Sequence, residues 1–199
     1  MQARRRRFHA VAASALGAAA LTLLLPLSIM APTRRALARN TSDTPDGADG
    51  EPRLGVRGRG TLRFMGLAVY EAELAVAAGF DPARPEASAF ELKLAYLRKL
   101  SGAAIVDRSI QEMRRGGEIA PADEARWREF MARAFPDVNR GDVIVGRWQP
   151  RAASSSFAHN AGAPVELLDP VFGPRFFGIW LAPHSSQPEL RERLLGRSA

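Results

Sequence analysis

Eight residues near the middle of the chain constrain its fold more than any others. From Phe90 to Leu97, Phe90, Leu92, Leu94 and Tyr96 alternate with Glu91, Lys93 and Ala95. A strand sends successive side chains to opposite faces, so this run buries one face and wets the other. It asks for an antiparallel sheet with one solvated side.

The flanking segments supply the rest of that sheet and its cover. Leu54 to Phe64 alternates in part and carries Gly55, Gly58 and Gly60, which reads as a strand with bends or a bulge. Met65-Gly66 is the expected turn into a second strand, Leu67 to Val76. Asp81 to Ala87 reads as a Pro-rich loop. Ser101 is a fitting helix cap, because its hydroxyl can accept from an orphan amide. Ile105, Val106, Ser109, Ile110 and Met113 then share one helical face, with Asp107, Arg108, Gln111 and Arg114 opposite, and Gly116-Gly117 ends the helix. Pro121 opens a second helix, in which Trp127, Phe130, Met131 and Ala134 repeat at three and four before Phe135-Pro136 closes it.

Three short strands follow, at Val143 to Trp148, Ser154 to Ala158 and Ala163 to Glu166, the last two around an Asn160 to Gly162 turn. Asp169-Pro170 predicts the cap and first turn of a helix whose apolar face is Val171, Phe172, Phe176, Ile179 and Trp180. A Pro-His-Ser-Ser corner leads to a last helix, with Ser186 and Glu189 as its capping box and Leu190, Leu194 and Leu195 as its packing face. Strands, then helices, then strands again make the expected class α+β: a curved antiparallel sheet with helices on one face.

The N-terminus is a separate matter. Arg4 to Arg7 precede an apolar run from Val11 to Leu25, and Ala36-Leu37-Ala38 is a small-x-small cleavage site. Residues 1–38 therefore read as a secretory signal peptide. A retained anchor is the competing reading, since Val11 to Met30 approaches spanning length, although Pro26 interrupts it. Arg5-Arg6-Arg7-Phe8 is faintly like a twin-arginine signal. Residues 39–52 are polar and rich in Asp, Gly and Pro, the composition of a disordered linker. The folded domain is expected over 53–199, and the localisation is periplasmic.

The leader also explains the charge. The chain is formally +7, with 28 basic and 21 acidic residues, and six of the arginines fall before residue 39. The remainder is nearly balanced, so nothing supports nucleic-acid binding, which needs a basic face. A membrane enters only through an uncleaved leader. With no cysteine in the sequence, disulfides, thiolate nucleophiles and Cys-bound metals are excluded. Three histidines are present: His9 in the leader, His159 at a turn and His184 in the corner before the last helix. None has a zinc spacing, no Gly-x-Ser-x-Gly elbow exists, and the glycines from Gly55 to Gly60 are not followed by a helix. No cofactor is expected.

The stretches Arg63 to Leu74, Leu94 to Arg115 and Phe176 to Gly196, in this order of strands and helices, resemble the chalcone isomerase superfamily. They look most like its bacterial, exported, chalcone isomerase-like branch. The resemblance runs from Arg53 to Arg197 and implies an open-faced sandwich. In the plant enzymes a first-strand Arg steadies the anionic oxygen, a Thr and a Tyr organise water at the ketone, and an Asn and a Thr bind the far hydroxyl. Matching Ser101-Gly102 to the family's Thr-Gly step puts Ile105 at the Tyr and Glu112 at the Asn. The second-strand Thr falls on Met65 and the late Thr on Arg175, two before Phe177-Gly178. The arginine falls on Arg53, or on Arg57 or Arg59 after a slip.

Neither Met65 nor Ile105 can donate to an oxyanion. The resemblance therefore implies a protein without the plant reaction and without a catalytic set. Some plant relatives bind fatty acids in an apolar slot with an Arg for the carboxylate. Here that slot would be lined by Leu62, Phe64, Ile105, Ile110, Phe172 and Phe176, with Met65, Glu112, Arg175 and one of the three arginines around it. The expected partner is a small amphipathic or acyl ligand. Two alternatives stay open: an isomerase or lyase using an Arg with Glu112, which periodicity sets off the Ile105–Ser109 line, and a module that binds a partner through an exposed apolar patch.

Overall fold

A computed structural model describes residues 53–197. The expected leader and linker lie outside those residues. Six antiparallel strands among the described residues form one sheet in sequence order: β1 Leu54–Phe64, β2 Leu67–Ala77, β3 Phe90–Tyr96, β4 Val143–Gln149, β5 Ser154–His159 and β6 Val165–Leu168. Helices α1 Gly102–Met113 and α2 Pro121–Ala134 join β3 to β4, and α3 Phe172–Leu181 and α4 Pro188–Leu194 follow β6. The class is α+β, an open antiparallel sheet with helices on one face, and the alternation in β3 gives that sheet its one solvated side. No helix among the described residues is long and apolar enough to cross a membrane.

The register explains the two faces. Tyr70 pairs with Tyr96, Ala72 with Leu94 and Leu74 with Leu92, and these side chains turn toward the helices. Their alternates form the wet face, where Arg59 pairs with Glu73 and Arg147 with Glu91. Strand β1 is kinked as its glycines suggest, with register shifts at Val56/Gly58 and Leu62/Arg63. The glycines have a further reason, which only the tertiary structure shows. A Cβ on Gly58 would lie 2.1 Å from the Arg193 carbonyl oxygen, and one on Gly60 would lie 2.6 Å from Leu190 Cδ1. Helix α4 thus sits directly on the β1 backbone, and the Arg57 Nε–H closes the contact by donating to the Leu195 carbonyl at 3.0 Å.

Helix ends follow the sequence in most places. Ser101 Oγ accepts from the Ala104 amide at 3.2 Å. The Asp169 carboxylate takes the amides of Val171 and Phe172 at 2.8 and 3.0 Å, although regular helix begins only at Phe172. Val171 therefore precedes the helix and is half exposed, not part of the apolar face; the buried stripe is Phe172, Phe176, Phe177, Trp180 and Leu181. The Ser186–Glu189 capping box does not form, for α4 starts after Gln187 with no side-chain cap. The buried neighbour Ser185 ties the corner instead, donating to the Ile179 carbonyl at 2.7 Å and accepting the Gln187 amide at 3.2 Å. Strand β6 runs two residues later than expected, because Val165 pairs with Phe157 and Leu168 with Ser154.

Candidate functional site

Helix α1 packs chiefly on α2 and α3 and stands off the sheet. The gap beneath it is a cavity of about 280 Å³. Its sheet wall is built from Leu62, Tyr70, Leu94 and Tyr96, its roof from Ile105, Ser109 and Glu112 of α1, and its back from Phe157, Phe176 and Trp180. Gly146 keeps the floor low, since a Cβ there would meet the Phe157 ring at 2.7 Å. Apolar walls with a few polar atoms are the usual make-up of a small-molecule site, and the volume sits near the lower end of the roughly 300–1,000 Å³ such sites span.

The polar atoms are specific. Tyr70 Oη accepts from Trp180 Nε1 at 2.8 Å, which leaves its own O–H to donate. Burial pushes the Tyr70 phenol well above the ordinary tyrosine range, against the lowering effect of that hydrogen bond, and burial raises Tyr96 likewise. Both phenols are thus neutral donors. Glu112 is only 6 % exposed. Arg108 Nη2 lies 2.5 Å from its Oε1, and Arg115 Nε lies 3.7 Å from its Oε2. That Oε2 is buried and makes no hydrogen bond among the described residues. Arg108 also donates to Gln111 Oε1 at 3.1 Å, and Ser109 donates to the Ile105 carbonyl at 2.8 Å. At the rim Arg98 leaves the end of β3, exposed to water, with no hydrogen bond or ion pair among the described residues.

Of the residues that the sequence brings forward, Phe64, Ile105, Glu112 and Phe176 line the cavity, as does Leu62. Ile110 and Phe172 are buried in the core beside it. The three candidate first-strand arginines do not line it. Arg53 is exposed before β1, Arg57 holds α4, and Arg59 pairs with Glu73 on the wet face. Met65 is in the β1–β2 turn, 86 % exposed. Arg175 reaches the Glu118 carbonyl at 3.3 Å beside Gly117. The cations at the cavity are Arg98 and Arg108, neither anticipated. Arg98 follows β3 where no periodicity applies. Arg108 starts on the outer side of α1, and its long side chain bends back to Glu112. Glu112 itself points inward and is not off the Ile105–Ser109 line: seven residues after Ile105 and three after Ser109, it returns to the same side of the helix.

The two described histidines lie elsewhere. His159 Nε2 is 3.7 Å from Asp142 Oδ2 at the end of β5. His184 sits over Gly116, and its carbonyl accepts from Arg115 Nε at 3.2 Å. Burial, then the Arg115 and Arg175 charges, hold its imidazole below the ordinary histidine range, with Glu112 opposing. No group of three potential metal ligands occurs among the described residues.

Neither a family model nor a curated protein matches the chain. Among solved structures it is similar to a fatty-acid binding protein of Arabidopsis thaliana, with a TM-score of 0.54 and 12 % identity over 72 % of this chain and 87 % of that one. Sheet order, one-sided helix layer and this likeness together make the fold of the described residues chalcone isomerase-like, an α+β open-faced sandwich.

Proposed function

We propose that this chain is an exported, bacterial chalcone isomerase-like protein that binds a small amphipathic or acyl ligand and does not carry out the plant ring closure. The observation that carries this reading is the cavity: apolar walls, two neutral phenols, and at the rim an arginine with no ion pair among the described residues. An acyl chain would lie against Leu62, Ile105 and Phe176, and an anionic end would meet Arg98. The similar Arabidopsis protein is described as binding fatty acid, which supports the same use of the fold. Export to the periplasm rests on the basic-then-apolar leader.

The test is displacement of a fluorescent acyl probe, with native mass spectrometry of protein purified from the periplasm. Ile105→Trp should fill the cavity and abolish binding. Arg98→Ala should weaken an anionic probe about tenfold and leave a neutral one unchanged. Unaltered binding by Ile105→Trp would overturn the assignment.

A second reading has one specific observation in its favour. Glu112 Oε2 is buried at the cavity without a hydrogen bond among the described residues, where a proton-transferring carboxylate would stand. A hydroxychalcone should nonetheless show no cyclisation above the uncatalysed rate. A clear enzyme-dependent rate, lost in Glu112→Gln, would shift the conclusion to an isomerase.

A further inference from the structure

The turn between β1 and β2 is built from unusual residues. Met65 and Gly66 both take positive φ, 49° and 78°. A two-residue hairpin turn of type I′ demands this and favours Asn or Asp before Gly. Here the first position is Met65, 86 % exposed, flanked by Phe64 at 55 % and Leu67 at 58 %. Three large apolar side chains therefore stand in water at one tip of the sheet. Phe64 also lines the cavity, so the tip and the cavity mouth are continuous.

The charges around the tip are basic. Arg63 Nη1 reaches the Gly66 carbonyl at 3.5 Å. The Leu97 amide donates to the Val69 carbonyl at 2.9 Å, which brings Arg98 and Lys99 alongside the start of β2. The acids at this end are engaged: Glu112 with Arg108, Asp137 with the Gly102 amide, Asp142 with the Asn139 amide. Glu71 and Glu73 belong to the wet face of the sheet.

We propose that this tip docks on an anionic lipid bilayer. Phe64, Met65 and Leu67 enter the acyl boundary, and Arg63, Arg98 and Lys99 meet lipid phosphates. An apolar point ringed by cations matches a surface whose negative layer overlies hydrocarbon. Docking would set the cavity mouth at the membrane, and the contact does not depend on what the cavity holds.

The absence of cysteine makes the test local. In the full chain, Met65→Cys carries an environment-sensitive dye, and Lys93→Cys carries it on the wet face as control. With phosphatidylglycerol vesicles, the dye at 65 should brighten, shift blue and be quenched by lipid-borne nitroxides, while that at 93 should not. Arg98→Glu with Lys99→Glu, both exposed, should weaken this response about tenfold or more with circular dichroism unchanged. Three results would each overturn the proposal. The dye at 65 could stay wet although the protein sediments with vesicles, which means the leader alone holds it. It could be buried equally by phosphatidylcholine. It could be shielded on concentration without vesicles, which identifies a second copy as the occupant.

Discussion

The two halves of the sheet–helix interface are packed by different rules. Where α2 and α3 meet β4 and β5, rings fill the space: Phe130, Phe157, Phe172 and Phe176 form contacts with centroids 4.9 to 6.3 Å apart, and Trp127 closes over Phe172 at 5.7 Å. Where α1 passes over β2 and β3, leucines, Ile105 and two tyrosines line a void. Aromatic side chains bring a large apolar area per residue, so a few of them can stabilise a domain from one side. The other side is then free to stay unfilled.

The largest test of that contrast removes a ring from the filled half. Phe172 is fully buried, and Phe172→Ala should cost about 3–5 kcal/mol, read as a drop in urea midpoint. A loss below about 1 kcal/mol would mean the aromatic half does not dominate.

Next comes Asp169, which anchors the same half. Its carboxylate takes Trp127 Nε1–H at 2.8 Å and Arg126 Nη1 at 2.8 Å besides two backbone amides. Burial alone would raise its pKa, but the Trp127 and amide hydrogen bonds and the Arg126 charge outweigh it and hold the group below the ordinary aspartate range. A depressed folded value contributes stability above the unfolded pKa and loses it as pH falls through the folded one. Asp169→Asn should cost about 1–3 kcal/mol at neutral pH. It should also flatten the fall in stability that the unmodified protein shows below about pH 4. Parallel pH profiles for the two would contradict the assigned role.

Filling the open half should do far less. Ile105→Trp enters space that is already empty, so its stability change should stay within about 1 kcal/mol while acyl-probe binding disappears. A loss like that of Phe172→Ala would show that the void is needed for folding.

The smallest effect has the opposite sign. Met65→Asn places a residue suited to positive φ in the exposed turn and should stabilise the protein by about 0.5–1 kcal/mol, measured as a raised midpoint. Unchanged or reduced stability would mean that Met65 packs on something in solution.

The fold was legible because it is written in periodicity. The β3 alternation, the Ser101 cap and the three–four spacing of Trp127, Phe130, Met131 and Ala134 all reappear. The cavity was legible only in part, because its apolar walls share those periods while its polar atoms do not. Arg98 follows β3 outside any pattern, Arg108 reaches the site by side-chain length, and the Tyr70 hydroxyl is one atom at the end of an ordinary core ring. The family correspondence pointed to Arg53, Arg57 or Arg59; in the structure Arg57 holds α4, Arg59 pairs on the wet face and Arg53 is exposed before β1. Ser186 fitted a capping box by spacing, but the tight corner assigned the work to Ser185.

The seating of α4 on Gly58 and Gly60 bears on how the protein reaches its native state. Arg57 and Leu195 are separated by 138 positions, and their contact helps seat α4 on one face of the edge strand β1. Loop closure over such a span costs entropy before any reward, and non-local pairings of this kind slow folding. The glycine-floored face of β1 is covered only when α4 forms. The earliest strand is therefore completed by the latest helix, and a nascent chain leaves that face of β1 uncovered until its C-terminal segment has formed.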